Sequence, residues 1–174
     1  MDDTVINYDL AYQLYTKQIK RMAVGSIKRT GIKKTAKPMM LLAVIKGIEK
    51  GVIKNNRIEY AQIEPLYKVI FEQYEDMARQ TERTPAYYPF YHLHTSSFWH
   101  LSLLSAHSMA STSSPSEAWV RNNVAYAYLD TCLWNLLQRE EYRQRLTRYI
   151  IEEKMRQHSL PHILHTFIGW LVAI

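Results

Sequence analysis

The chain has 174 residues, 47% of them hydrophobic, and carries 22 Lys and Arg against 16 Asp and Glu, a formal charge of +6. That length suits one domain with a proper core and excludes two ordinary ones, while a pI near 9.3 favours an anionic partner, nucleic acid or a membrane surface. Cys132 is the single cysteine, so no internal disulfide can form, and no apolar export segment marks the N-terminal region; both point to the reducing cytoplasm.

From Asn7, a candidate N-cap, Leu10, Ala11, Leu14, Ile19 and Met22 recur at helical spacing and predict an amphipathic first helix, with Lys17, Lys20 and Arg21 toward solvent. Gly25 and Gly31 bracket a segment with Lys28, Arg29, Lys33 and Lys34 and no acidic residue, which reads as a mobile basic loop whose backbone tracks phosphates. Pro38 suits the first turn of a second helix, where Met40, Leu41, Val44, Ile45 and Ile48 form the buried stripe and Gly51 ends it. A short extended piece over 57–60 leads to a third helix, opened by Pro65 and carrying Leu66, Val69, Ile70, Tyr74 and Met77. This helix ends in the polar stretch 80–84.

The segment from Pro85 to Leu101 is the most distinctive in the chain. Pro89 fixes its own φ and pushes Tyr88 toward extended geometry, so the pair is expected to present a stiff apolar corner. Phe90 to Leu93 then reads as a strand, Thr95 to Ser97 as a turn and Phe98 to Leu101 as the returning strand. Ser105 to Ser116 reads as a flexible surface loop. Helical pattern resumes over 117–123 and 126–129, Asp130 caps a helix through Leu133, Trp134 and Leu137, and a longer helix runs over 140–156 with Tyr142, Leu146, Tyr149 and Ile150 inward.

Pro161 opens a final apolar helix, 161–174, in which Phe167, Trp170 and Leu171 are expected to pack on the domain, a second copy or a nuclease partner. Its apolar run falls short of the roughly 20 residues that a membrane span needs. The fold expected is mainly α: a single-domain helical bundle over 1–174 with a small antiparallel β-hairpin, an α+β, winged-helix-like arrangement being the alternative.

The search for chemistry returns mostly exclusions. The glycines form no phosphate-cradling loop before a lysine, so nucleotide hydrolysis is not expected. Cys132 lies in an apolar helical pattern and reads as packing. His92 and His94 would share one strand face, with His100 on its neighbour, yet no cysteine or carboxylate completes a zinc site. No catalytic residue, metal or cofactor is therefore expected. What remains is aromatic and basic: Tyr87, Tyr88, Phe90, Tyr91 and Trp99 suit either base stacking or an apolar pocket beside a phosphate, with Phe90 and Trp99 favoured as core.

Three stretches, Thr35-Ala-Lys-Pro-Met-Met-Leu-Leu-Ala-Val-Ile45, Tyr88-Pro-Phe-Tyr-His-Leu93 followed by Phe98-Trp-His-Leu101, and Ala127-Tyr-Leu-Asp-Thr-Cys-Leu133, carry a resemblance. Over roughly residues 8 to 155 the chain resembles the N-terminal region of a group of HNH restriction endonucleases, which is similar to the sulfur-binding domain that recognises phosphorothioate-modified DNA. The resemblance implies a DNA site built from the basic residue before the helix proline, here Lys37 with Ala36 beside it, and from Tyr88 and Pro89, with Tyr91 and His92 adjoining. It departs at Ala36 and Lys37, where such domains carry histidine and often arginine. No counterpart of the HNH module follows, so the expectation is a reader domain without its own nuclease; the alternative is a companion subunit that acts by protein interaction.

Overall fold

The computed structural model describes residues 7–79, 83–105 and 115–156. Helix α1, Tyr8–Arg21, is capped as expected: Asn7 Oδ1 accepts from the Leu10 N–H at 3.0 Å. Its buried stripe is Ala11, Tyr15 and Ile19, while Leu10 and Leu14 are exposed. The expected stripe was displaced because Tyr15 fills the core slot facing the end of the sheet, where its hydroxyl donates to Asp130 at 3.3 Å.

Helix α2, Ala36–Glu49, is buried on nearly every side, including Ala36 and all residues from Pro38 to Ile45. A helix that is apolar all round belongs at the centre, and α3, α5 and α8 pack against this one. Pro38 is its third residue, where no intrahelical N–H bond is forfeited. Gly47 lets α3 approach: a Cβ there would sit 2.7 Å from the Ile53 side chain and 3.0 Å from Leu66.

Helix α3, Tyr60–Gln73, starts five residues ahead of Pro65, which lies inside it on the exposed side. Its buried residues are Tyr60, Ile63, Tyr67, Ile70 and Phe71, leaving Val69 exposed, contrary to the expected face. The large aromatics set the stripe because they bury the most area. A short helix α4, Glu75–Ala78, follows.

The region after Pro85 departs most from expectation. Tyr87–His92 is a helix, α5, continued by a 3₁₀ turn over Leu93–Thr95, not a strand. Pro89 sits in the first turn of α5, where its missing N–H costs nothing, and the N–H groups of Tyr88 and Phe90 bond to Pro85 and Ala86 carbonyls at 3.1 Å. The two-stranded antiparallel sheet is present, but it joins β1, Trp99–Leu103, to β2, Val124–Leu129. The segment 126–129, expected as helix, thus runs as strand, with Ala127 and Leu129 inward and Tyr126 and Tyr128 outward.

Ile58 bridges Ala127, and the Asn56 amide bonds both N–H and C=O of Leu129 at 2.8 and 2.7 Å, so the piece before α3 extends the sheet edge. Helix α6, Glu117–Asn123, precedes β2; α7, Thr131–Leu137, and α8, Glu140–Ile150, follow it, α8 ending in a π turn through Met155. Asp130 precedes α7 without a side-chain cap; its carboxylate serves His100 and Tyr15 instead.

The basic segment is a hydrogen-bonded turn rather than a mobile loop. Ser26 bridges Lys33, Lys34 N–H bonds Gly25 at 2.8 Å, and Gly31, at φ +69°, closes on Ile27. The apolar segment 161–174 and most of the serine-rich stretch lie outside the described residues. Among the described residues no helix is long and apolar enough to cross a membrane.

Candidate functional site

The start of α2, the exposed face of α5 and the strap over residues 83–86 ahead of α5 meet the basic turn at one cavity of about 210 Å³. Lys34 enters from the turn, Ala36 and Lys37 from α2, Thr84 from the strap, and Tyr88 and His92 from α5, with Ala23, Val24 and Gly25 completing the wall. Tyr88 and His92 share a face because they are four residues apart on a helix. Their rings pack against each other at a 47° tilt, 4.2 Å between centroids. Among the described residues no carboxylate lines this cavity.

Lys37 occupies the first turn of α2, where unpaired N–H groups and the helix dipole favour an anion. Its ammonium donates to Thr95 Oγ1 at 3.1 Å, and the Thr95 hydroxyl in turn donates to the His92 carbonyl at 2.9 Å. Burial holds that ammonium below the usual lysine range. A cation partly stripped of water, with no carboxylate salt-bridge partner among the described residues, is a standing demand for an anion.

His92 is pushed below the ordinary histidine value, first by burial and then by the charges of Lys37 and His94. Among the described residues its Nε2 is buried without a hydrogen-bond partner. On the other side of Tyr88 lies a second cavity of about 280 Å³, lined by Lys34, Arg83, Thr84, Pro85, Tyr87 and Tyr88. Tyr67, fully buried in α3, donates its hydroxyl to the Thr84 carbonyl at 2.9 Å and pins the strap between the two.

The ScoMcrA-like DNA sulfur-binding domain profile matches residues 14–169. The chain belongs to this family. The solved sulfur-binding domain of SprMcrA, complexed with phosphorothioated DNA, shares the fold: the TM-score is 0.60 at 15% identity, over 82% of this chain and 84% of that one. No curated protein matches the chain.

Within this ScoMcrA-like domain, the residues expected at the site separate into three groups. Ala36, Lys37, Tyr88 and His92 line one cavity together with Lys34. Pro89 and Tyr91 do not line it: both are buried, because the expected corner is a helix whose third and fifth residues face inward. Tyr91 packs edge-on against His92, His94 and Trp119 and so backs the site. Lys28, Arg29 and Lys33 are exposed on the basic turn.

The histidines do not form the strand-face group weighed for zinc. His94 Nδ1 bonds the Tyr91 carbonyl at 2.7 Å, and His100 Nε2 meets Asp130 at 2.6 Å on β1. Among the described residues no group of three or more His, Cys, Asp or Glu is placed to hold a metal. Sequence reasoning missed Arg83, which it folded into a polar stretch, and Thr84. The signal available was Arg83-Thr-Pro85: a cation and a hydroxyl held in extended backbone by the following proline.

Proposed function

We propose that this domain is a non-catalytic DNA reader of a restriction system, working in the cytoplasm. It docks a backbone phosphate group at the Lys34, Lys37 and Tyr88 cavity and prefers a group in which sulfur replaces a nonbridging oxygen. The observation that carries the reading is that a partly desolvated ammonium and an exposed aromatic ring face the same largely apolar cavity. Sulfur is larger and more weakly hydrated than oxygen, so it enters a niche of methyl groups and ring faces at lower desolvation cost. Lys37 offsets the phosphate charge as a point charge, without the fork of donors that an arginine presents. The family, and the phosphorothioated DNA held by the SprMcrA domain, support the same ligand class.

Lys28, Arg29 and Lys33 on the adjoining turn extend the positive face along the strand and supply salt-dependent attraction. Strand cutting is assigned to a nuclease partner, docked through Phe167, Trp170 and Leu171, which lie outside the described residues; a homodimer through the same residues is the other use of that segment. The test is competition binding between duplexes identical except for one phosphorothioate linkage. A preference for the modified duplex is expected. Equal binding would leave a general DNA-binding domain, and absence of binding at low salt would remove both readings.

A further inference from the structure

We propose that His92 is a direct, proton-coupled contact to the bound phosphate group: Nε2 donates to it, and the ring takes up a proton as the anion enters. This rests on the site reading above and adds to it an atom and a pH dependence. The starting observation is geometric. Among the described residues Nε2 of His92 has no hydrogen-bond partner and is closed to solvent in the free domain, while the residue lines the same cavity as Lys37 and Lys34, so a turn of the ring brings Nε2 to a bound group. Buried polar atoms in folded proteins are nearly always satisfied, so an orphan beside a cationic cavity marks a place where a ligand supplies the partner. A phosphate or phosphorothioate group offers only acceptors, which requires the donor form of Nε2.

The ring is also packed between aromatic neighbours. Tyr88 packs on it at a 47° tilt, Tyr91 meets it edge-on at 5.3 Å, and the Thr95 hydroxyl donates to the His92 carbonyl. The ionisable groups around it are Lys37 from α2, Lys34 from the basic turn, His94 from the 3₁₀ turn, and Tyr88 and Tyr91 from its own helix. None of these described residues is a carboxylate, so in the free domain they oppose a positive ring. An entering anion reverses that balance.

The sign follows. In the free domain His92 titrates below the ordinary histidine value, and in the complex the adjacent negative charge raises it. Binding therefore takes up a proton, tightens as pH falls through the bound value, and levels off below the free value. For each pH unit separating the two values, affinity changes by about tenfold.

Fluorescence anisotropy with a phosphorothioate duplex, from about pH 8 to about pH 5.5, tests this on the wild type, His92→Gln and His94→Gln. Glutamine keeps an amide donor without titrating. The wild type and His94→Gln should tighten by about tenfold across the range, while the affinity of His92→Gln, whatever its level at the alkaline end, should stay flat with pH. A flat wild-type profile, or a full slope in His92→Gln, would overturn the proposal while leaving the DNA site in place. Failure of the wild type to bind any duplex would instead overturn the site itself. Should His92→Gln not fold, the ring C–H resonance of His92 in the wild type gives the same answer, since its midpoint must rise on adding duplex and an unchanged midpoint refutes the contact.

Discussion

Two histidine-bearing clusters lie at opposite ends of the segment 92–100, and they are wired in opposite ways. On the sheet, His100 bonds Asp130 at 2.6 Å, the other Asp130 oxygen accepts from Tyr15, and Tyr128 packs over the imidazole. At the cavity, His92 Nε2 has no partner and Lys37 has only a hydroxyl. The first cluster closes on itself and ties α1, β1 and the start of α7 together. The second keeps positive charge and a desolvated donor in reserve, which lowers stability locally and has a use only when a ligand arrives. Polar satisfaction, rather than residue type, separates the self-contained His100 from His92, the proposed ligand contact.

The comparison breaks most readily at Lys37. Replacing it with methionine removes the cation and keeps the bulk, so DNA affinity should fall by about 10- to 100-fold, the range for losing a charge-assisted hydrogen bond. The slope of log affinity against log salt should shrink by about one phosphate contact. Because burial already disfavours the Lys37 charge, the melting temperature should hold or rise. A variant that loses binding only by unfolding would erase the contrast.

Asp130→Ala should do the reverse. It strands the His100 and Tyr15 groups, and the destabilisation expected from unpaired, partly buried donors is about 1–2 kcal/mol by denaturant titration. Burial first, then the Asp130 charge, push the Tyr15 phenol upward, in keeping with a hydroxyl that stays protonated as a donor. DNA affinity, measured below the unfolding transition, should not change. A binding loss comparable to that of Lys37→Met would place the sheet cluster within the interface.

Thr95→Val probes how the reserve is held. The hydroxyl tethers the ammonium at 3.1 Å, and losing one such neutral contact should weaken binding by about 2- to 10-fold. The charge count is unchanged, so the salt slope should match the wild type. A shallower slope would mean that Lys37 has left the site.

Much of this was legible in the sequence because single residues carried it. Pro38 after Lys37, followed by an unbroken apolar run, marked α2 and put a cation in its first turn, and Lys37 and Tyr88 do line one cavity. The argument that placed Pro38 in a helical first turn applied equally to Pro89, but the aromatic neighbours of Pro89 suggested a strand. That single misassignment turned Pro89 outward on paper and put His92 and His94 on a strand face. The true partner of β1 was written in period two, with Tyr126 and Tyr128 outward and Ala127 and Leu129 inward. It was overlooked because a strand pairing across a long connection leaves no local turn signal. Arg83 reaches the neighbouring cavity only through tertiary packing, as Tyr67 from α3 pins the adjacent Thr84 carbonyl.

The smallest expected effect concerns the unbound domain and pH. His92 titrates below the ordinary histidine value when folded and near about 6.5 when unfolded. The unfolded chain therefore binds more protons in that interval. By linkage, the His92 contribution to stability is whole above the unfolded value and drains away as pH falls through the folded one. Melting temperature should decline modestly on acidification, and His92→Gln should show a shallower decline than the wild type. With a saturating phosphorothioate duplex the order should invert: the anion stabilises the protonated ring, so the wild-type complex should hold its melting temperature at acid pH better than the variant complex. Parallel wild-type and variant decline in both states would show that His92 is as self-contained as His100, and the distinction between the two clusters would be lost.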